Sequence, residues 1–121
     1  MSPLARSLLA LAAAALLHSA CAAPKKVGDS QCTTVMHGSI LGMENKLPTV
    51  RIPAGVQDAS VDVPNTCAKA VVGERVIVCD DVPPTVYVPE LPLISPVVVH
   101  RNGNYFSRPA EVRVTLWCQI A

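Results

Sequence analysis

Cysteine and histidine are the side chains of this sequence that could form covalent, metal or acid–base sites, with five cysteines and three histidines among 121 residues. Cys21 belongs to an apolar N-terminal segment, and the four other cysteines lack the short C-x-x-C type of spacing that zinc sites use. An even number of cysteines in an exported chain is typical of disulfide bonds. We therefore expect two disulfides, formed by Cys32, Cys67, Cys79 and Cys118.

The N-terminus has the organisation of a secretory signal peptide. Arg6 precedes an apolar run over residues 7–17, which is shorter than the ~20 residues that span a bilayer, and small residues follow. Cleavage after Ala22 would leave residues 23–121. The residues up to Cys21 also resemble a bacterial lipobox, in which this cysteine becomes the lipidated first residue of the mature chain. We expect a secreted protein, extracellular or periplasmic, or alternatively one that is anchored by a lipid on Cys21 to a bacterial membrane.

The pairing of the four cysteines depends on how the segment around Gly73 folds, because four cysteines allow three pairings. Residues with high β-propensity flank Gly73, which predicts a hairpin. A three-residue loop centred on Gly73 would place Cys67 opposite Cys79, whereas a two-residue turn would shift the register by one residue. We favour a disulfide between Cys67 and Cys79, which leaves Cys32 to pair with Cys118.

The motifs of known catalytic and cofactor sites are absent from the sequence, including G-x-S-x-G, the P-loop, the dinucleotide fingerprint and H-E-x-x-H. His37 and His100 are the histidines that follow the signal peptide, and two are too few for a three-histidine metal site. Asp80 and Asp81 are adjacent, but calcium takes about six to eight oxygen ligands, and the sequence shows no regular ligand spacing there. We therefore expect no catalytic residue, no metal and no cofactor.

Charge also limits the partners of the chain. Ten Lys and Arg residues against nine Asp and Glu give a net charge of +1, and removal of the signal peptide with Arg6 leaves nine of each. Nucleic-acid-binding domains and polybasic membrane-binding segments carry a clear excess of positive charge. We expect no nucleic-acid partner, and a membrane partner only if Cys21 carries a lipid.

Short β-prone segments separated by prolines position these residues. Val, Leu, Cys and Ile alternate with polar residues over 111–120, and no window of eleven residues after Ala23 sustains a helical period. We predict an all-β fold, a small disulfide-stapled antiparallel β-sandwich of about seven or eight short strands over residues 32–121. The signal peptide (1–22) and an exposed leader (23–31) would precede this single domain.

Proline also predicts which strands lie at the edges of the sheets. It has no N–H group, so segments 49–52 and 85–88, which prolines bound on both sides, should be edge strands or crossings between sheets. Segment 97–99 and the final strand contain no proline and should be central.

Residues 49–63 form a strand–turn–strand pattern with Pro53, Ala54 and Gly55 at the turn. This stretch of 15 residues resembles one found in many extracellular β-sandwich modules, Calx-β domains among them. The resemblance would imply a calcium site, but the segment offers only Asp58 and Asp62 for the acidic positions of that family. We therefore assign the chain to no family.

Two segments are the candidates for recognition of a partner. Asn102 and Gly103 predict a type I′ hairpin turn, which would pair Val99 with Phe106 and gather aromatic residues beside Arg and His. Residues 82–96 contain five prolines, and such a stiff segment loses little entropy on binding. The alternatives are a core position for Phe106 and a crossing between sheets for 82–96. The partner-binding residues that we predict are His100, Arg101, Asn104, Tyr105 and Phe106 of the hairpin, and Glu90 and Leu91 of the proline-rich segment.

The predicted function is a small secreted or envelope-associated binding protein, an effector, inhibitor or envelope component that acts through surface contacts with a protein. An alternative is a structural subunit that assembles by pairing of valine-rich edge strands. The least favoured hypothesis is a secreted enzyme that uses His37, His100 or the two adjacent aspartates, because no set of nucleophile, base and orienting residue can be written.

Overall fold

The alternation of β-branched and polar residues produces eight strands, and the described part of the chain contains no helix. The computed structural model describes residues 30–103 and 106–120. The predicted signal peptide, Cys21, most of the predicted leader, Asn104 and Tyr105 lie outside these ranges. The strands are β1 (Gln31–Gly38), β2 (Met43–Lys46), β3 (Val50–Ile52), β4 (Asp58–Val61), β5 (Val71–Asp80), β6 (Thr85–Tyr87), β7 (Val97–His100) and β8 (Ala110–Cys118).

The strands form two antiparallel sheets, so the predicted all-β sandwich is confirmed. The large sheet has the order β1-β5-β8-β2, with β3 also paired to β8, and the small sheet has the order β4-β7-β6. The strands bounded by prolines, β3 and β6, each pair with one neighbour, while β7 and β8 are internal, as predicted. No helix in the described residues is long and apolar enough to cross a membrane.

The core lies between the sheets and consists mainly of valines. Alternate residues of β5 and β8 face inward, among them Val76, Val78 and Val112, which are fully buried. Val97 and Val99 of β7 are fully buried on the opposite side. Each buried valine is worth about 1.5 kcal/mol or more, so this packing is the main source of stability besides the disulfides.

The predicted hairpin at Gly73 is wrong. Residues 71–80 form one continuous strand, β5, because it is paired along its length with β1 on one side and β8 on the other. The glycine is required there by packing rather than by a turn. A Cβ atom on Gly73 would lie 1.9 Å from the carbonyl oxygen of Ser39.

The four predicted cysteines form two disulfides, but the pairing that we favoured is wrong. The bonds are Cys32–Cys79 and Cys67–Cys118. Cys79 lies at the end of the continuous strand β5, opposite Cys32 of β1, while Cys67 precedes the start of β5 and lies near the end of β8. The bonds span 47 and 51 residues, for which loop-closure entropy gives about 4 kcal/mol each.

The predicted hairpin at Asn102 and Gly103 is also wrong. β7 belongs to the small sheet and β8 to the large sheet, so the segment between them crosses from one sheet to the other. Gly103 does adopt a positive φ of 110°, which fits a turn residue but does not by itself make the flanking strands pair.

Candidate functional site

Arg101 does not lie on the surface, although we predicted it as a partner contact. Its side chain is 1% exposed and forms a bidentate ion pair with Asp80. The Nε–Oδ2 and Nη2–Oδ1 distances are 2.8 and 3.0 Å. The guanidinium also donates to the carbonyl oxygens of Pro53, Val56 and Arg108.

This network joins the end of β5 to the β3–β4 and β7–β8 connections. Because a buried guanidinium must have acceptors for its N–H groups, we assign Arg101 a structural role. Phe106 is half-buried, and its ring centroid lies 5.1 Å from the Arg101 guanidinium carbon. It therefore covers the ion pair rather than pairing with Val99.

His100 lies at the surface, on the outer face of the small sheet. Its Nδ1 atom is 2.6 Å from Oδ1 of Asp58 on β4, and its backbone neighbour on β6 is Thr85. Asn102 donates to the Thr85 hydroxyl over 3.1 Å. Asp58 thus orients the His100 imidazole through its Nδ1 atom.

Six exposed side chains share this outer face and form two cross-strand rows. The first row is Asp58, His100 and Thr85, and the second is Ser60, Val98 and Tyr87. Tyr87 is 61% exposed and Val98 is 40% exposed. We call this set of six residues the small-sheet face.

The structure brings together parts of the two segments that we predicted for recognition. β6 lies within the proline-rich residues 82–96 and pairs directly with β7, which carries His100. Glu90 is exposed, whereas Leu91 is half-buried and packs against the core. Leu91 therefore stabilises the fold, and residues 88–96 connect the outer strand β6 to the central strand β7.

The sequence did not point to five members of the small-sheet face: Asp58, Ser60, Thr85, Tyr87 and Val98. The alternation of buried and exposed residues along β4, β6 and β7 could have placed each on an outer face. What the sequence did not show is that β4 and β6 flank β7, because strands so short leave many sheet orders open.

The chain was compared with protein-family models, curated proteins and solved structures. None gives a significant match.

Residue types that resemble a catalytic set occur in one row of the small-sheet face. Asp58, His100 and Thr85 correspond to an orienting acid, a base and a hydroxyl, but the row lies on an exposed, flat sheet. Active sites are usually concave and exclude water. Within residues 30–103 and 106–120, no group of three or more His, Cys, Asp and Glu side chains could hold a metal ion.

His37, the other histidine considered for catalysis, faces the inside of the sandwich. Its Nε2 atom lies 3.1 Å from the carbonyl oxygen of Val88, and it pairs across β1 and β5 with Glu74. Both carboxylate oxygens of Glu74 are buried and have no hydrogen-bond partner. Desolvation by burial raises the pKa of Glu74 from 4.5 to about 7.

Proposed function

We propose that this protein is a small exported, non-enzymatic binding protein that contacts a protein partner through the small-sheet face. The observation that carries the proposal is the pairing of β6 with β7, which sets the exposed Tyr87 beside Val98 and His100 beside Thr85. Aromatic side chains with a polar rim are typical anchors of protein interfaces.

Contacts within the fold restrict several side chains of this surface. On β7, the fully buried Val97 and Val99 alternate with the exposed Val98 and His100, so the core fixes the outward direction of the exposed pair. Asp58 holds His100, and Asn102 holds Thr85. A preorganised surface loses less conformational entropy on association than a mobile loop does.

The location that we propose is extracellular or periplasmic. The two disulfides are compatible with an oxidising compartment. The mature chain carries no formal net charge, since the ten basic residues lose Arg6 with the signal peptide. Recognition should then depend on short-range contacts rather than on long-range electrostatic attraction.

A binding experiment with surface variants tests the proposal. The oxidised protein would be immobilised, the partner recovered from the extracellular fraction of the producing organism and identified, and its affinity measured with both proteins purified. We expect Tyr87→Ala combined with His100→Ala to weaken binding at least ~tenfold, because interface anchors carry most of the binding free energy.

Met43→Ala is the matched control, because this side chain is also exposed, at 62%, but lies on β2 of the large sheet. It should bind as the wild type does. An unchanged affinity in the double variant, with unchanged circular dichroism, would refute the placement of the interface.

A second candidate function is assembly by strand pairing, and the edge strand β1 favours it. The other edge strands are short and protected from pairing. A charged side chain occurs in each of β2, β3 and β4, and prolines bound β6. β1 has eight residues without a charged side chain or a proline, and so lacks the features that usually protect an edge from pairing.

The hydrogen bond from Ser39 N to Val72 O fixes which groups of β1 are free for such pairing. In this register the odd-numbered residues bond to β5, and the N–H groups of Cys32, Thr34 and Met36 point away from it. Assembly predicts concentration-dependent sedimentation that Thr34→Pro abolishes without loss of fold. A wild type that stays monomeric at high concentration would contradict it.

A further inference from the structure

The outer face of the large sheet contains a cavity of about 240 Å³. Its walls come from the central strands β5 and β8, from the end of β2 and from the connection between β2 and β3. This surface faces away from the core and is separate from the small-sheet face. The lining residues are Lys46, Leu47, Thr49, Arg75, Ile77, Arg113, Val114 and Thr115.

Three of the lining side chains are cationic, and none is acidic. Lys46, Arg75 and Arg113 concentrate positive charge at the cavity, although basic and acidic residues are equal in number after the predicted signal peptide. Arg113 contacts Glu111 over 3.0 Å, and Lys46 contacts Glu44 over a longer 3.7 Å. Arg75 forms no ion pair with a described residue, so its charge is not neutralised locally.

Two polar groups of the cavity lining have no hydrogen-bond partner among the described residues. Thr115 is 7% exposed, and no described residue forms a hydrogen bond with its hydroxyl. The Nε atom of Arg75 is buried and also has no hydrogen-bond partner. Buried donors are normally satisfied, so the unsatisfied Nε of Arg75 beside a positively charged cavity indicates a missing acceptor.

We propose that this cavity binds an oxyanion, the sulfate or phosphate group of a small ligand or of an anionic polymer. Such a group offers several acceptor oxygens and a negative charge, which match the unpaired hydroxyl of Thr115 and the guanidinium groups of Arg75 and Arg113. The cation Lys46 lies on the strand beside Thr115 and completes the site.

The arginines are already held in position. The guanidinium carbon of Arg75 lies 5.3 Å from the centroid of the Trp117 ring, and Glu111 holds Arg113. Both contacts restrict long side chains without placing a carboxylate inside the cavity. This arrangement reduces the entropy that binding an anion would otherwise cost.

The test is an NMR titration of the ¹⁵N-labelled, oxidised protein with inorganic sulfate and inorganic phosphate at constant ionic strength. We expect saturable shifts at the amides of Lys46, Arg113 and Thr115. Acetate is the third ligand to be titrated. Its single carboxylate carries fewer acceptor oxygens than sulfate or phosphate and should therefore bind more weakly to the cationic cavity. Equal binding of acetate, or no saturable shift with either oxyanion, would overturn the proposal.

Variants distinguish the cavity from general attraction to positive charge. Arg113→Gln and Thr115→Val should each weaken sulfate binding by about tenfold, since each removes a hydrogen bond to a charged group. Lys69→Gln removes an exposed charge outside the cavity and should bind as the wild type does.

Lys46→Gln keeps the proposal testable if the substitution at the more buried Thr115 prevents folding. This lysine side chain is 74% exposed and its loss should not affect the fold. Wild-type affinity in both Lys46→Gln and Arg113→Gln would overturn the assignment.

Discussion

Replacement of the buried Glu74 by Gln should change how the stability of the protein depends on pH. Glu74 is fully buried between the sheets, and neither carboxylate oxygen has a hydrogen-bond partner. His37 is the titratable residue that pairs with it from β1, while the apolar Leu116 pairs with it from β8. Burial therefore favours the protonated acid in the folded state.

The sign and size follow from the two pKa values. The pKa of Glu74 rises from 4.5 in the unfolded chain to about 7 in the folded protein. Between these values the folded state holds a proton that the unfolded state has released, so stability falls as pH rises through this window. The full cost, present above the folded pKa, is about 3 kcal/mol, at about 1.4 kcal/mol for each tenfold change in proton affinity.

Urea unfolding of the oxidised protein at pH 5 and pH 8 measures the effect. Gln cannot ionise, so the stability of Glu74→Gln relative to the wild type should increase by about 2 to 3 kcal/mol from pH 5 to pH 8. The difference between variant and wild type removes the contributions of the other titrating groups. Glu90→Gln, at an exposed glutamate, should change stability by less than about 0.5 kcal/mol at both pH values.

The same comparison in a His37→Gln background separates the two residues. The pH-dependent difference at Glu74 should persist there, because desolvation rather than His37 raises the pKa. A difference that is equal at pH 5 and pH 8 in both backgrounds would show that Glu74 is solvated or paired in solution, and would refute the reasoning.

Three further predictions test the fold. Arg101→Met should destabilise the protein by about 3 to 5 kcal/mol in denaturant unfolding, because Asp80 is left buried and unpaired. The added change Asp80→Leu should recover part of the lost stability. An unchanged unfolding midpoint in Arg101→Met would contradict the buried ion pair. Gly73→Ala should destabilise more than Gly55→Ala. A Cβ at Gly73 meets the backbone of Ser39, whereas one at Gly55 meets nothing within 4 Å, and Ala there has only the cost of a positive φ, about 1 to 2 kcal/mol. Equal thermal midpoints would count against this packing. Peptide mapping under non-reducing conditions should recover Cys32 linked to Cys79 and Cys67 linked to Cys118, and any other pairing would contradict the register of β1, β5 and β8.

The sequence predicted the class of fold because its signals are local. Alternation of apolar and polar residues identifies strands, and proline identifies β3 and β6 as edges. Two predicted hairpins are wrong because glycine also occurs outside hairpin turns. Gly73 allows close approach of Ser39 within a long strand, and Gly103 lies in a crossing between sheets.

The disulfide pairing failed as a consequence of the first of these errors. Once residues 71–80 are one strand, Cys79 lies far along β5 from Cys67, and its neighbour across the sheet is Cys32. Pairing of cysteines depends on contacts between strands that are distant in sequence, which a local pattern does not determine.

The candidate site was predicted in part. His100 and the proline-rich segment are neighbours at the surface. Arg101, in contrast, is buried and forms an ion pair with Asp80, 21 residues away in the sequence. The charge of an arginine gave no indication of this burial, because guanidinium groups occur both as surface contacts and as paired groups in the interior. Only the three-dimensional arrangement distinguishes the two roles.

Site-specific photo-crosslinking tests the central claim most directly, that the small-sheet face contacts a protein partner. A photoreactive amino acid would replace Tyr87, or Met43 on the large sheet as control, in protein made by the producing organism. We predict one adduct of discrete mass from position 87 and none from position 43. Excess wild-type protein should suppress it, and the variant with Tyr87→Ala and His100→Ala should not. The same adduct from both positions, or equal suppression by the variant, would contradict the account.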